Sequence, residues 1–448
     1  MKMKTGQPAN ETVIYNYTSY CRIRGAMQLT SLLLKNGRVI DPAAGIDEIR
    51  DIFVVDGRIA AGGAEGVQPE TAVIDCSGLW VVPGLIDVHC HLREPGGEHK
   101  ETIATGTQAA ARGGFTTVVA MANVNPAPDS VHEYHKIRKL IGDKAVVNVI
   151  QAASVTKDLR GRDLCDMTAL TGAGVTVFTD DGHFIDRAAV LYQALQLSEK
   201  LNVTLALHEE DSTLRLYDPM AYHPLNETVA IARDLEVMRV AGGNVHFQHI
   251  STARSVELIR QAKREKLNVT AEVCPHHLTL TKKIIEKFGT HAKMAPPLRT
   301  EEDVAELLKG LDDGTIDLIA TDHAPHAADD KLPPFDTAAN GIVGFETALP
   351  VLLTHLIHEQ GRQPSWLIER MSAIPGRLFG LSGGKLSLGE AADVCIIDPN
   401  KEWMIDRKNF ASKGRNTPYH GAQVKGAVTL TIVNGRIVFD GRGESGIH

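Results

Sequence analysis

Two segments, Asp87-Val88-His89-Cys90-His91 and Thr321-Asp322-His323-Ala324-Pro325-His326, gather imidazoles and carboxylates at the ends of apolar, β-branched runs. Alternate side chains of an extended strand share a face, so His89 and His91 can turn their ring nitrogens to one ion while Cys90 points away. Three more runs end in the same kind of residue: Thr179-Asp180-Asp181-Gly182, Leu207-His208-Glu209-Glu210 and Gln248-His249-Ile250-Ser251. A lone His-x-His is structural about as often as it is functional, and one histidine at a strand end is more often a loop residue than a ligand. Four histidines and two aspartates ending five strands of one fold are not independent accidents. Imidazole and carboxylate ligands suit Zn2+ or a similar divalent ion, and six groups are enough for one ion, or for two with a carboxylate between them. Strand parity leaves Asp180 and Asp181 both open as the contribution of the fourth run. The six cysteines, Cys21, Cys76, Cys90, Cys165, Cys274 and Cys395, include no Cys-x-x-Cys pair. They offer no competing thiolate set and read as free thiols of a reducing cytoplasm.

These groups need a scaffold that brings distant strand ends together. Eight apolar runs alternate with helical patterns: 81–91, 115–123, 145–153, 175–181, 203–208, 245–251, 269–275 and 316–322. Eight strands alternating with helices over some 300 residues predict an α/β fold, a (β/α)8 TIM-like barrel whose catalytic groups sit at the carboxyl ends of its strands. A doubly wound open sheet would want a glycine-rich phosphate loop after its first strand, and none is present. Residues 27–82 and 381–448 read instead as short strands, with turn signals at Asn36-Gly37, Asp56-Gly57 and Ser77-Gly78. Asn36-Gly37-Arg38-Val39-Ile40 is echoed by Asn434-Gly435-Arg436-Ile437-Val438. Neither set makes a stable core alone, so one composite β-sandwich built from both chain ends is expected, with the barrel over 83–380. Residues 1–26 are polar and aperiodic and read as a disordered extension. The formal charge of −8 with no basic block argues against nucleic acid, and no run of ~18 apolar residues argues for a membrane span.

From Met27 onward the chain resembles the dihydroorotases of the amidohydrolase superfamily, in the subgroup typical of Gram-positive bacteria. The resemblance rests on Gly84-Leu85-Ile86-Asp87-Val88-His89-Cys90-His91-Leu92-Arg93-Glu94-Pro95-Gly96, Phe178-Thr179-Asp180-Asp181-Gly182, His249-Ile250-Ser251-Thr252, Pro296-Pro297-Leu298-Arg299 and Asp322-His323-Ala324-Pro325-His326. It implies reversible closure of N-carbamoyl-L-aspartate to L-dihydroorotate in pyrimidine synthesis, by metal-activated hydroxide with an Asp acid/base. It makes His89, His91, Asp181, His208, His249 and Asp322 the ligands of one or two Zn2+ ions, Asp181 being chosen over Asp180 by its spacing to His208. Asp322 becomes the catalytic proton-transfer group as well. His91, Arg93, Asn123 and His326 fall to substrate binding; His276 and His277 end the seventh strand but are not ligands in the family and read as supporting or structural groups. Many relatives bridge their metals with a carboxylated lysine. No lysine occurs from Asp158 to Glu199, which favours an Asp bridge and argues against a hydantoinase. Ala295 stands where the family has Asn, and Asn340-Gly341 is the expected compensating contact. The polar stretch 327–340 reads as a lid or as a static loop. The resemblance leaves room for a homodimer and for association with aspartate transcarbamoylase. The rival readings are another cyclic-amide hydrolase, such as an allantoinase, and a non-catalytic scaffold for that transcarbamoylase. A scaffold should have lost ligands, and none of the six is missing.

Overall fold

The computed structural model describes residues 31–62, 71–211, 213–214 and 223–442. The expected extension over 1–26 and Cys21 lie outside the described residues. Sixteen strands are seen among the described residues. β1 (Ser31–Asp41), β2 (Ile46–Val55), β3 (Arg58–Ala60), β4 (Ala72–Asp75) and β5 (Trp80–Pro83) come from the N-terminal part. Eight short strands follow: β6 (Leu85–Cys90), β7 (Phe115–Ala120), β8 (Asn148–Gln151), β9 (Val177–Phe178), β10 (Thr204–Leu207), β11 (Val245–Phe247), β12 (Val269–Val273) and β13 (Leu318–Ile319). β14 (Val394–Met404), β15 (Gln423–Val433) and β16 (Arg436–Asp440) complete the set.

β6 to β13 pair in parallel in chain order. Bridges between Ala153 and Phe178 and between Cys90 and His323 close the ring. This is the expected barrel, and its interior is filled by Ile86, Val88, Val119, Met121, Ala152, Val177, Ala206, Leu318 and Ala320, with Phe379 packed on the same cluster. The helix Ile103–Arg112 is started by Thr102, whose hydroxyl accepts from the Thr105 N–H. Thr252 does the same for Ala253–Arg264. Such caps satisfy N–H groups that a helix start otherwise leaves unpaired. No helix among the described residues is long and apolar enough to cross a membrane.

Both chain ends build one hydrogen-bonded sheet, ordered β16-β15-β14-β5-β1-β2-β3, with β4 on β1. β1 pairs with β4 through Leu32–Lys35 and with β5 through Arg38 and Val39, so the sheet folds over a core of its own. Leu32, Leu34, Val39, Ile52 and Val54 meet Val394, Ile396, Leu430 and Ile432 there. Two details differ from the sequence reading. Asn36-Gly37 is not a hairpin turn: Asn36 takes φ 61 inside a continuous β1, at a register shift between Leu34 and Gly37. Glycine is needed because a Cβ at 37 would lie 2.5 Å from Val81 Cγ2. Its echo, Asn434-Gly435, is a true turn between β15 and β16. Likewise the apolar run 81–91 is two strands, β5 in the sandwich sheet and β6 in the barrel, because the chain changes sheets at Gly84.

That crossing is tight. The Gly84 N–H donates to the Asp393 carbonyl at 2.9 Å, and a Cβ at 84 would meet Thr116 Oγ1 at 2.1 Å and Cγ2 at 2.3 Å. Thr116 is fully buried and cannot swing into solvent. Gly84→Ala is expected to destabilise the protein by about 1–3 kcal/mol, the usual cost of overpacking, read as a lowered thermal midpoint; an unchanged midpoint would contradict this packing.

Candidate metal centre

The first barrel strand carries a register irregularity between Asp87 and Cys90. Ile86 and Val88 fill the barrel interior below it. Beyond it His89 and His91 face the mouth, ring centroids 5.4 Å apart, while Cys90 turns aside and its thiol donates to the Val119 carbonyl. Asp181, at the end of the fourth strand, lies between the histidines. Its Oδ1 is 3.3 Å from His89 Nε2, 3.4 Å from His208 Nδ1 and 3.6 Å from His249 Nε2; its Oδ2 is 3.4 Å from His91 Nε2. Asp322 Oδ1 joins from the eighth strand, 3.0 Å from His91 Nε2 and 3.5 Å from His89 Nε2. Asp180 is directed elsewhere: it accepts from the N–H groups of Val155 and Thr156 and orders the neighbouring loop.

All six side chains are buried. They form two groups that share Asp181, His89–His91–Asp181 and Asp181–His208–His249, each with ligand atoms within 4.8 Å of one another. His89 Nε2 and Asp181 Oδ1 are buried with no hydrogen-bond partner. An orphaned imidazole nitrogen facing an orphaned carboxylate oxygen is costly in a protein interior, and a divalent ion set between them would satisfy both. The residues present therefore fit a metal. A third group, Cys274–His276–His277, also clusters. There burial pushes the Cys274 thiol up and His277 Nε2 donates to the Pro296 carbonyl, 3.0 Å away, so it packs as part of the core.

Electrostatics agree with the geometry. Burial alone would raise the Asp322 carboxyl, but His89 and His91 outweigh it and hold Asp322 below the usual carboxylate range. Burial pulls His208 down, yet Asp181 and Glu210 beside it carry it up to about 9.

Residues that sequence reasoning missed hold the ligands in place. Glu272, buried inside β12, lies 2.5 Å from His89 Nδ1 and accepts from the His249 N–H at 3.2 Å. Burial works against its charge, but His89 and His246 bring its carboxyl down to about 2. Asp87 accepts from the Thr321 N–H and hydroxyl at 2.7 and 2.8 Å, tying the first strand to the eighth just before Asp322. Glu227 accepts from the N–H groups of Ser251 and Thr252, both at 3.1 Å, and fixes the turn after His249. For Asp87 and Glu272 an acidic residue inside an apolar stretch is the one sequence signal, and a weak one; Glu227, in a polar helix start, has none.

The residues expected at the substrate lie around the same mouth. Arg93, half-buried and with φ 61, donates from Nε to the Pro325 carbonyl at 3.3 Å, and its Nη2 lies 3.5 Å from His326 Nε2. It does not pair with Glu94, which accepts from the Ile103 N–H and meets Lys144. Asn123 Oδ1 accepts from His91 Nδ1 at 2.8 Å. His326 Nε2 donates to the Asn340 carbonyl at 2.7 Å, so Asn340 is engaged there through its backbone. Gly341, at φ 127, could carry no Cβ without meeting Ala324 Cβ at 2.7 Å. The 327–340 stretch is pinned from below, where the buried Lys331 ammonium donates to the carbonyls of Lys293 and Ala339.

A carboxylate on a ligand histidine fixes its tautomer and raises its basicity. Glu272→Gln is expected to weaken binding of a divalent ion by about 10–100-fold, measured by competition with a chelator; wild-type affinity in that variant would remove Glu272 from the site.

A family model described as Dihydro-orotase-like matches residues 78–255. Over 423 residues the chain is 43% identical to the dihydroorotase of Pelotomaculum thermopropionicum, covering 92% of this chain and 99% of that one. It is 44% identical to the dihydroorotase of Staphylococcus aureus (strain Mu50), covering 91% and 99%. Among solved structures, L-hydantoinase (dihydropyrimidinase) from Arthrobacter aurescens superposes with a TM-score of 0.84 at 27% identity, covering 91% of this chain and 96% of that one. The dihydropyrimidinase of Brevibacillus agri, at 23% identity and a TM-score of 0.81, shares the fold. Identity at this level over nearly the full length of both chains, on a barrel whose strand ends converge as described, makes the chain a member of the dihydroorotase family of the amidohydrolase superfamily.

Proposed function

We propose that the chain is a zinc-dependent dihydroorotase, interconverting N-carbamoyl-L-aspartate and L-dihydroorotate with exchange of water in pyrimidine synthesis. The observation that carries this reading is Asp181 shared between two histidine pairs, with Asp322 and Arg93 at the same mouth. His89, His91, Asp181 and Asp322 would hold one ion, and Asp181, His208 and His249 a second. When bound, such ions supply Lewis acidity, lowering the pKa of water towards ~7 and polarising an amide carbonyl.

The side chains do the rest. Asp322, ionised and beside His91, takes the proton from the attacking oxygen and delivers it to the ring nitrogen as the C–N bond breaks. In the closing direction it receives the proton of the carbamoyl nitrogen and passes it to the departing oxygen. The Arg93 guanidinium offers a fork for the substrate carboxylate. Because Asn123 spends its oxygen on His91, its amide N–H group is what remains for the substrate. His326 and the Asn340-Gly341 backbone shape the wall beside Arg93. An aspartate between the histidine pairs, with no lysine from Asp158 to Glu199, favours this reading over hydantoinase chemistry. A cytoplasmic location, a homodimer and association with the transcarbamoylase that makes carbamoyl aspartate belong to the same proposal.

The test is zinc content together with dihydroorotate hydrolysis before and after chelation. Activity is expected to vanish with the metal and to return with Zn2+. Asp322→Asn should lower kcat by about 10²–10⁴-fold, and His89→Ala should lose both activity and metal. Turnover of allantoin or hydantoins in place of dihydroorotate would overturn the assignment.

A further inference from the structure

The two loops that follow the eighth barrel strand, 324–326 and 341–343, are joined by one side chain from the other end of the chain. Asn416 lies between β14 and β15, in a connection that leaves the sandwich sheet and crosses the barrel mouth. Its amide Nδ2 donates to the carbonyls of Ala324, at 2.9 Å, and Gly341, at 3.0 Å. Its Oδ1 accepts from the His326 N–H at 3.1 Å, and its own carbonyl accepts from the Val343 N–H at 2.9 Å. The side chain is buried, and both amide protons and the side-chain oxygen are committed to these two loops. No other uncharged side chain of this length supplies two donors and an acceptor from one planar group except glutamine, which is one carbon longer.

What the clamp holds bears on Arg93. The Pro325 carbonyl that receives Arg93 Nε sits between Ala324 and His326, the two residues Asn416 grips. The His326 ring, near the Arg93 Nη2, is set by its bond to the Asn340 carbonyl, one residue before Gly341. The connection is pressed flush against these loops: a Cβ at Gly414 would lie 2.7 Å from Val343 Cγ1 and 2.8 Å from Pro325 Cβ. Ser412 and the Lys413 N–H anchor it on buried Glu101.

We propose that Asn416 is a positioning residue: it sets the spacing of the 324–326 and 341–343 loops and thereby the seat of Arg93 for a substrate carboxylate. This rests on the reading of Arg93 as the carboxylate clamp of a dihydroorotase. Arg93 binds a part of the substrate that does not react, so its misplacement removes interactions made equally in ground and transition states. Loss of the clamp should act on KM.

The experiment uses the full-length, zinc-loaded protein with Asn416→Ala and Asn416→Asp, and Tyr419→Phe as control. Tyr419 belongs to the same connection, but its hydroxyl bonds to Thr279 Oγ1 at 2.6 Å, away from both loops. Both Asn416 variants are expected to raise KM for dihydroorotate by about tenfold or more with kcat within about threefold and zinc content unchanged. Tyr419→Phe should lower only the thermal midpoint. A wild-type KM in Asn416→Ala, or an equal KM rise in Tyr419→Phe, would overturn the proposal. So would an Asn416→Ala protein that merely loses active fraction, with lower kcat at constant KM. A wild-type protein that fails to hydrolyse dihydroorotate would sink the functional reading itself, and this inference with it.

Discussion

A buried carboxylate surrounded by imidazole nitrogens is the constraint on which the barrel mouth depends. Asp181 faces His89, His91, His208 and His249 at 3.3 to 3.6 Å. Two of these rings already commit their other nitrogen, His89 to Glu272 and His91 to Asn123. Their Nε2 atoms then present lone pairs to an anion, so that acceptor faces acceptor. Such a cluster persists only if positive charge is supplied. Protons on the histidines are one source, as the upward shift of His208 illustrates. A divalent ion is the other, and it alone satisfies several lone pairs at once at a single point.

Holding that arrangement strains the backbone. Arg93, His249 and Asp322 adopt positive φ values of 61, 35 and 46, each costing about 1–3 kcal/mol where no glycine is present. The surrounding structure over-determines all three. Asp87 grips Thr321 before Asp322, Glu227 grips Ser251 and Thr252 after His249, and the Pro325 carbonyl receives Arg93. The two acids among these anchors are buried, and burial pushes the Asp87 carboxyl up to about 7. The mouth is therefore a network in which buried acids align the backbone and the backbone aims the proposed ligands.

Much of this was legible in the residues. Buried parallel strands need continuous apolar, β-branched runs, and a polar residue ending such a run has few places to go except the mouth. That logic reached His89, His91, His208, His249 and Asp322, and the barrel itself. It stopped where a side chain's fate depends on tertiary neighbours. Asp180 and Asp181 are adjacent and chemically identical; only the loop at Val155 and Thr156 separates their environments. Glu272 within Val-Thr-Ala-Glu-Val carries no local sign that it will meet His89 and His249 once the barrel closes. Asn36-Gly37 has the composition of a turn, yet the close approach of Val81 makes it a bulge in an unbroken strand. Asn416 lies more than 300 residues from Arg93, and no local pattern links them.

The barrel alone does not choose a substrate. It is shared with an L-hydantoinase at a TM-score of 0.84, although the two chains are only 27% identical, so the eight strands admit more than one cyclic amide. Discrimination must then reside in what surrounds the proposed metal-holding groups, and the carboxylate that dihydroorotate carries calls for a cation in a fixed place. Arg93 has the chemistry, but a long flexible side chain gives selectivity only if its seat is rigid. The loops forming that seat follow the eighth strand and carry no regular hydrogen-bonded ladder of their own beyond the bridge of His323 to Ile342. They are held by Asn416, in the connection between β14 and β15, and that connection is itself anchored through Ser412 on Glu101, just before the helix Ile103–Arg112. The connection that the composite domain sends to the mouth thus braces the side proposed to read the substrate, while the opposite side, with the histidines and Asp181, is held by the strands together with Glu272, Asp87 and Glu227.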